Sequence, residues 1–111
     1  MPLQTNQIIY QGETKILIVT LVNGDGGPVS ITDATIKYQF DDVTKTTGGS
    51  GITITDGPGG QFQIALGSAD TIDCEEGIYP HECKVKLPAD DSVYVVFVGS
   101  LRIYPTLIAT I

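Results

Sequence analysis

The chain has 111 residues and a mass of 11.8 kDa, which fits one compact domain and excludes a two-domain enzyme. Its 6 Lys and Arg against 13 Asp and Glu give a formal net charge of −7, so we expect no nucleic-acid partner. The longest apolar run, residues 93–99, is too short to span a membrane, and residues 1–10 lack the features of a signal peptide. We therefore expect no membrane partner and synthesis in a reducing cytoplasm.

Apolar residues that alternate with polar ones, between clusters of Gly, Pro, Asp and Asn, predict strands throughout the chain. Residues 34–40 give the clearest strand, because every second side chain is apolar and the others are polar. Residues 16–22 are apolar on both faces. They predict either a central strand or a strand whose outer face is covered by another element, such as the chain termini or another subunit.

The remaining elements follow in chain order. Residues 41–51 are polar and glycine-rich and predict a mobile loop, and residues 52–66 predict a hairpin that turns at residues 56–60. Only the stretch that begins with Ser68 as a cap, residues 68–74, suggests a helical turn. The last two strands are predicted at residues 79–87 and 93–103, with Val93, Val95 and Phe97 on the core face.

This pattern predicts an all-β fold, a single antiparallel β-sandwich of about seven strands over residues 1–105, Ig-like in architecture. The chain lacks the Trp of true immunoglobulin domains, and Cys74 and Cys83 are too close in sequence for their inter-sheet disulfide. Residues 106–111 form a separate apolar segment, either an edge strand of its own domain or a strand added to a neighbouring subunit. Leu107, Ile108 and Ile111 are therefore a candidate assembly interface.

The chain offers little for catalysis. Its one histidine, His81, lies two residues from Cys83 on a predicted strand, where the two side chains stand about 6–7 Å apart. We interpret His81 as a half-buried residue hydrogen-bonded to neighbouring backbone, and Cys74 and Cys83 as reduced thiols, with a disulfide formed later as the alternative. We predict no catalytic residue, no cofactor and no metal site, so the chain is not expected to be an enzyme.

Acidic loop residues are candidates for calcium ligands, namely Asp25, Asp41, Asp42, Asp90 and Asp91. None of them matches the spacing of a known calcium loop, and we interpret them as residues that form turns.

The aromatic residues favour core packing over a ligand platform. Alternation places most of them on core faces and leaves Tyr10, Tyr94 and Tyr104 for the surface. A carbohydrate-binding sandwich module, using Tyr94, Tyr104 or the loop aspartates with calcium, is accordingly one alternative function.

Several fragments in series resemble the Ig-like N-terminal domain of the baseplate upper proteins of bacteriophages and prophages. The fragments are QGET at 11–14, TDATIKYQF at 32–40, GITITD at 51–56 with a return strand at 60–66, ADT at 69–71, GIY at 77–79 and GSLRIYP at 99–105. They cover residues 7–105. The resemblance implies a non-enzymatic virion protein, made in the host cytoplasm, that binds other phage structural proteins. A homo-oligomer is a further option that it leaves open.

Within the virion, the resemblance favours an adaptor at the tail, neck or baseplate. Members of this kind are often the N-terminal part of longer proteins, whereas no fibre or receptor-binding module follows residue 111 in this sequence. We therefore expect an adaptor role, with capsid decoration of the phage head as the alternative.

Overall fold

The computed structural model describes residues 3–4, 6–22, 26–27, 29–49, 51–72, 74–88 and 91–105. These residues form two facing β-sheets and one short helix, which confirms the predicted all-β sandwich. The elements are β1 (Leu3–Gln4), β2 (Gln7–Tyr10), β3 (Lys15–Thr20), β4 (Thr35–Phe40), β5 (Val43–Thr46), β6 (Ile52–Asp56), β7 (Gln61–Leu66), α1 (Ser68–Thr71), β8 (Gly77–Lys86) and β9 (Val93–Tyr104). Among the described residues, no helix has the length and apolar character needed to cross a membrane.

The larger sheet has the order β1-β9-β8-β4-β5, and β2 also pairs with β9. Both N-terminal strands run parallel to β9, with Leu3 opposite Phe97 and Tyr10 opposite Tyr104, while the other pairs in this sheet are antiparallel. These two short strands were not predicted. In the sheet, β9 therefore lies between these two N-terminal strands on one side and β8 on the other.

The smaller sheet has the order β3-β7-β6, and it contains the predicted hairpin. Its turn is held by the Gly59 amide, which donates to Oδ1 of Asp56 at 3.0 Å. Gly60 follows at φ +75°, and a Cβ atom there would lie 2.6 Å from the carbonyl oxygens of Leu21 and Val29. Only glycine fits that position without moving the backbone.

The strand order matches an immunoglobulin sandwich, in which β3, β7 and β6 occupy the positions of strands B, E and D. In that fold, a first strand A lies beside strand B. Here β2 pairs with β9 in the opposite sheet instead. The position beside β3 is consequently not filled by any described strand.

The core lies between the sheets and is built from the alternating inward residues of both. Tyr38 and Phe40 of β4 and Phe62 of β7 are fully buried, as the alternation of these strands predicts. Each large apolar side chain removed from water in this way contributes about 1.5–3 kcal/mol to folding.

A bulge in β9 changes which of its residues face the core. Cys83 pairs with Phe97 but Lys84 pairs with Val95, so Val96 is an extra residue in the strand. Val96 and Phe97 are both buried, whereas Val93 and Val95 are exposed. Our prediction that Val93 and Val95 face the core is therefore wrong, because a shift of one residue moves side chains to the opposite face.

Two local predictions also differ from the structure. β5 forms within the stretch predicted as a loop, because it pairs with β4 and because Nζ of Lys45 lies 2.8 Å from Oδ2 of Asp70. The helix α1 is capped by Gly67 rather than by Ser68. The Gly67 amide donates to Oδ2 of Asp70 at 2.7 Å, which stabilises the first turn.

Candidate assembly surface

β3 is an edge strand with one open side. Among the described residues it pairs only with β7. The Leu21 amide donates to the Gly60 carbonyl at 2.8 Å. In an antiparallel pair every second residue bonds to the partner strand, so Val19 and Leu17 also direct their backbone groups toward β7. The N–H and C=O groups of Ile16, Ile18 and Thr20 therefore point away from β7, where a further strand can pair with them.

The outer face of β3 is apolar and exposed. Ile16 is 52% exposed and Ile18 is 69% exposed, and Val22 just beyond the strand is also exposed. The prediction of a central strand is wrong, because β3 lies at the edge of its sheet. The alternative, an outer face covered by another element, stays a prediction, since no such cover is found within the described residues. The apolar outer face thus coincides with the open backbone edge.

The other sheet edges carry features that hinder an added strand. β6 has a register shift between Ile54 and Asp56, and β5 has only four residues. The N-terminal edge is interrupted between β1 and β2, where Oδ1 of Asn6 accepts hydrogen bonds from the Ser100 amide and hydroxyl at 3.1 and 3.2 Å. In the described part of the chain, β3 is the one edge of six residues with neither a bulge nor a proline.

A cleft of about 290 Å³ runs along β3, and we call it the β3 cleft. Gln7 and Phe97 form its wall on the larger sheet, and residues 15–20 form the opposite wall. Leu17 is buried and Val19 partly buried on the inward side of β3. The cleft therefore combines an apolar surface with the open backbone edge. Its position corresponds to that of strand A in an immunoglobulin sandwich.

The residues predicted for assembly, Leu107, Ile108 and Ile111, lie outside the described residues. The β3 cleft was not identified as a site from the sequence. The signal for it was the two-faced apolar pattern of residues 16–22.

His81 and Cys83 lie in the core and do not form a nucleophile–base pair. His81 is 2% exposed rather than half-buried as predicted, and its Nδ1 atom shares a hydrogen bond of 2.9 Å with a side chain, the Tyr38 hydroxyl. Burial, with a smaller effect of Glu82, raises the pKa of Cys83 to about 12, and burial also raises the pKa of Tyr38. A protonated thiol of this kind is a poor nucleophile. Cys74 and Cys83 are not joined in a disulfide.

The acidic residues do not converge on a metal site. No group of three or more His, Cys, Asp and Glu side chains in the described ranges is arranged to hold a metal ion. Asp41 and Asp91 adopt left-handed backbone conformations with φ of 49° and 58°, as turn-forming aspartates often do. Asp25 and Asp90 lie outside the described residues.

A pair of tyrosines lies on the outer face of the larger sheet. The rings of Tyr10 and Tyr104 are 5.5 Å apart, and the Arg102 guanidinium lies 5.0 Å from the centre of the Tyr104 ring. The sequence identified both tyrosines as surface residues but missed the arginine, although residues two apart on a strand share a face. Tyr94, which is also exposed, lies at the opposite end of β9.

Three lysines form a local positive area on the same sheet, and we call it the lysine face. Lys37 of β4 lies directly opposite Lys84 of β8, and Lys86 shares their face. Lys84 is 3.7 Å from the Glu82 carboxylate, and both side chains are about half exposed. Lys86 lies 3.9 Å from an Asp91 carboxylate, so part of the positive charge of this face is offset by acidic neighbours.

No protein-family model matches the chain, and no curated protein matches it either. Among solved structures, the chain is similar to a family 123 glycoside hydrolase from Clostridium perfringens, studied for glycolipid glycan hydrolysis, with 11% sequence identity and a TM-score of 0.43. The match covers 93% of this chain and 23% of the hydrolase.

Proposed function

We propose that this chain is a non-enzymatic structural protein of a bacteriophage virion that acts as an adaptor at the tail, neck or baseplate. The observation that carries the proposal is the open edge of β3, where exposed Ile16 and Ile18 flank a row of outward backbone groups. The serial resemblance of residues 7–105 to the Ig-like domain of baseplate upper proteins supplies the phage context.

An open, regular edge with apolar side chains is costly for a protein that stays alone in solution. Such edges promote uncontrolled pairing, and soluble proteins protect them with bulges, prolines or inward charges. The other described edges of this sandwich are protected in comparable ways, so the exposure of β3 is selective. A permanent partner that covers β3 accounts for this difference.

The virion role is tested by mass spectrometry of purified particles from the phage or induced prophage that encodes the chain. We expect the protein in the particles at a constant ratio to the major tail protein. The phage replication proteins serve as the control, since they should be lost during purification. Absence of the chain from intact particles would refute the proposal.

The location on the particle separates the adaptor from its alternative, capsid decoration. Gold-labelled antibodies against the chain, viewed by electron microscopy, should bind the tail, neck or baseplate. Label spread over the head surface would instead support decoration.

A carbohydrate-binding module is the second candidate, favoured by the pair of exposed Tyr10 and partly exposed Tyr104 with Arg102 beside them. Aromatic faces next to a hydrogen-bond donor can hold a sugar ring. A glycan array with the wild type and Tyr104→Ala tests this, with Tyr94→Ala as the control that alters an exposed tyrosine elsewhere. A blank array with and without calcium would remove the candidate.

A further inference from the structure

We propose that the β3 cleft receives residues 106–111 of a second copy of this chain as an added strand. This inference rests on the proposed structural role and specifies how copies are joined. It concerns a second copy rather than an unrelated protein because the chain itself contains a segment that fits the cleft in length, pattern and charge.

The backbone of β3 sets the length of the occupant. β3 has six residues, which span about 20 Å, and its outward groups at Ile16, Ile18 and Thr20 can pair with one further strand. Residues 106–111 are also six in number and contain no proline or glycine. A strand of this length can therefore pair along the whole of β3.

The side-chain pattern of the segment matches the two faces of β3. In an extended conformation, Leu107, Ala109 and Ile111 share one face, which would contact the inward side of the cleft near Phe97. Ile108 then falls on the opposite face with the two threonines, next to the exposed Ile18. This arrangement places Ile108 beside Ile18 and shields part of the exposed outer face of β3 from water.

Charge also favours this contact between two acidic copies. The outer-face neighbours of β3 on β7 are Gln61, Gln63 and Ala65, which are uncharged, and residues 106–111 carry no charged side chain. Two molecules of net charge −7 repel each other least where the side chains in contact carry no charge.

The chain path explains why the segment comes from a second copy. β9 ends at Tyr104, beside Tyr10, and the Gln11 amide donates to the Tyr104 carbonyl at 2.9 Å. From this point the chain uses residues 11–14 to cross to the start of β3. A segment that begins at Pro105 and crosses by the same route would leave about half of residues 106–111 to pair with β3. In a second copy, all six can pair.

The experiment compares three forms of the full chain by light scattering at low and high concentration. The donor variant is Leu107→Asp/Ile111→Asp, and the acceptor variant is Ile18→Pro, which removes an outward N–H without breaking a bond to β7. Ile18→Thr is the matched control, because it retains that N–H. We expect the wild type and the control to be oligomeric and both variants to fall to the monomer mass of 11.8 kDa.

A mixture of the two variants tests the direction of the contact. The acceptor variant still has an intact segment 106–111, and the donor variant still has an intact β3 edge. We therefore expect the mixture to form heterodimers. A wild type that is monomeric at both concentrations, or a mixture that stays monomeric, would overturn the inference.

Amide hydrogen exchange provides a readout that does not depend on the folding of the proline variant. In the wild type, the amides of Ile16, Ile18 and Thr20 should be protected. In the donor variant they should exchange about tenfold faster or more, while Leu17 and Val19 stay protected by β7. Equal protection of the outward amides in both proteins would contradict the added strand.

The failure of this inference and that of the proposed function are distinguishable. A chain that assembles through β3 but is missing from virions would overturn only the virion role. A virion protein whose oligomeric state is unaffected by the donor variant would overturn only the added strand.

Discussion

The hydroxyl of Tyr38 lies 2.9 Å from Nδ1 of His81 inside the apolar core, and the two rings meet edge to face at a centroid distance of 5.6 Å. The two residues come from neighbouring strands, β4 and β8. The pair thus satisfies two buried polar groups where the sheets meet, so that the only histidine of the chain is part of the core structure.

We expect Tyr38→Phe to lower the free energy of unfolding by about 1–3 kcal/mol, because it leaves a buried ring nitrogen without this bond. Urea denaturation followed by circular dichroism measures the change. Tyr94→Phe removes a hydroxyl from an exposed ring and should leave the stability unchanged. Equal stability of Tyr38→Phe and the wild type would show that the hydrogen bond contributes nothing net.

The buried thiol of Cys83 predicts a loss of stability at alkaline pH. Its pKa is raised from 9.0 to about 12 in the folded chain, so between these values the unfolded chain releases the proton while the folded chain keeps it. Below pH 9.0 the thiol is protonated in both states and its titration does not change the free energy of unfolding. Above pH 9.0 the free energy of unfolding falls by at most about 1.4 kcal/mol per pH unit.

Denaturation at a series of pH values above 9 tests this prediction. Cys83→Ala should flatten the decline, although it lowers stability below pH 9.0, where the thiol is protonated in both states. Cys74→Ala is the control, because Cys74 is only partly buried, and it should decline as the wild type does. Identical slopes in all three proteins would contradict a raised pKa at Cys83.

The ion pair between Lys45 and Asp70 joins β5 to α1, and both side chains are more than four-fifths buried. We expect Lys45→Gln to lower the free energy of unfolding by about 1.5–3 kcal/mol, since the Asp70 carboxylate loses a charged donor. The control is Lys86→Gln, because Lys86 lies 3.9 Å from an exposed Asp91 carboxylate. Lys86→Gln should change the free energy of unfolding little, because this pair is exposed to solvent. A similar loss in both variants would contradict the prediction.

The opposed pair Lys37 and Lys84 predicts a stabilising substitution. Like charges directly opposite on neighbouring strands repel each other, so Lys37→Thr should raise stability by about 0.2–1 kcal/mol at low salt. The gain should shrink in high salt, because the exposed charges are then screened. Thermal unfolding at two ionic strengths measures this, and a gain that does not depend on salt would point to strand propensity instead.

The sequence predicted those features that depend on local alternation. β4 and the hairpin of β6 and β7 follow from the period of two, and the apolar run of residues 16–22 correctly indicated a strand, β3, but not its position at a sheet edge. The bulge at Val96 was not predictable, because it depends on how β9 pairs with β8. The bond between Tyr38 and His81 joins residues 43 apart, so it depends on the register of two strands.

The candidate site shows the same limit. Exposed Ile16 and Ile18 are visible in the sequence as apolar residues, but the cleft beside them exists only because β2 pairs with β9 and leaves β3 open. β2 has four residues and no sequence feature that selects its partner. Its position is decided by tertiary contacts.

The parallel pairing of β1 and β2 with β9 also affects how the chain is made. These two strands leave the ribosome before their hydrogen-bond partners at residues 97–104, which are translated more than 80 residues later. The larger sheet cannot close while β9 is still inside the exit tunnel. Folding is therefore completed after translation of β9, and during that interval the nascent chain exposes unpaired strands that chaperones recognise.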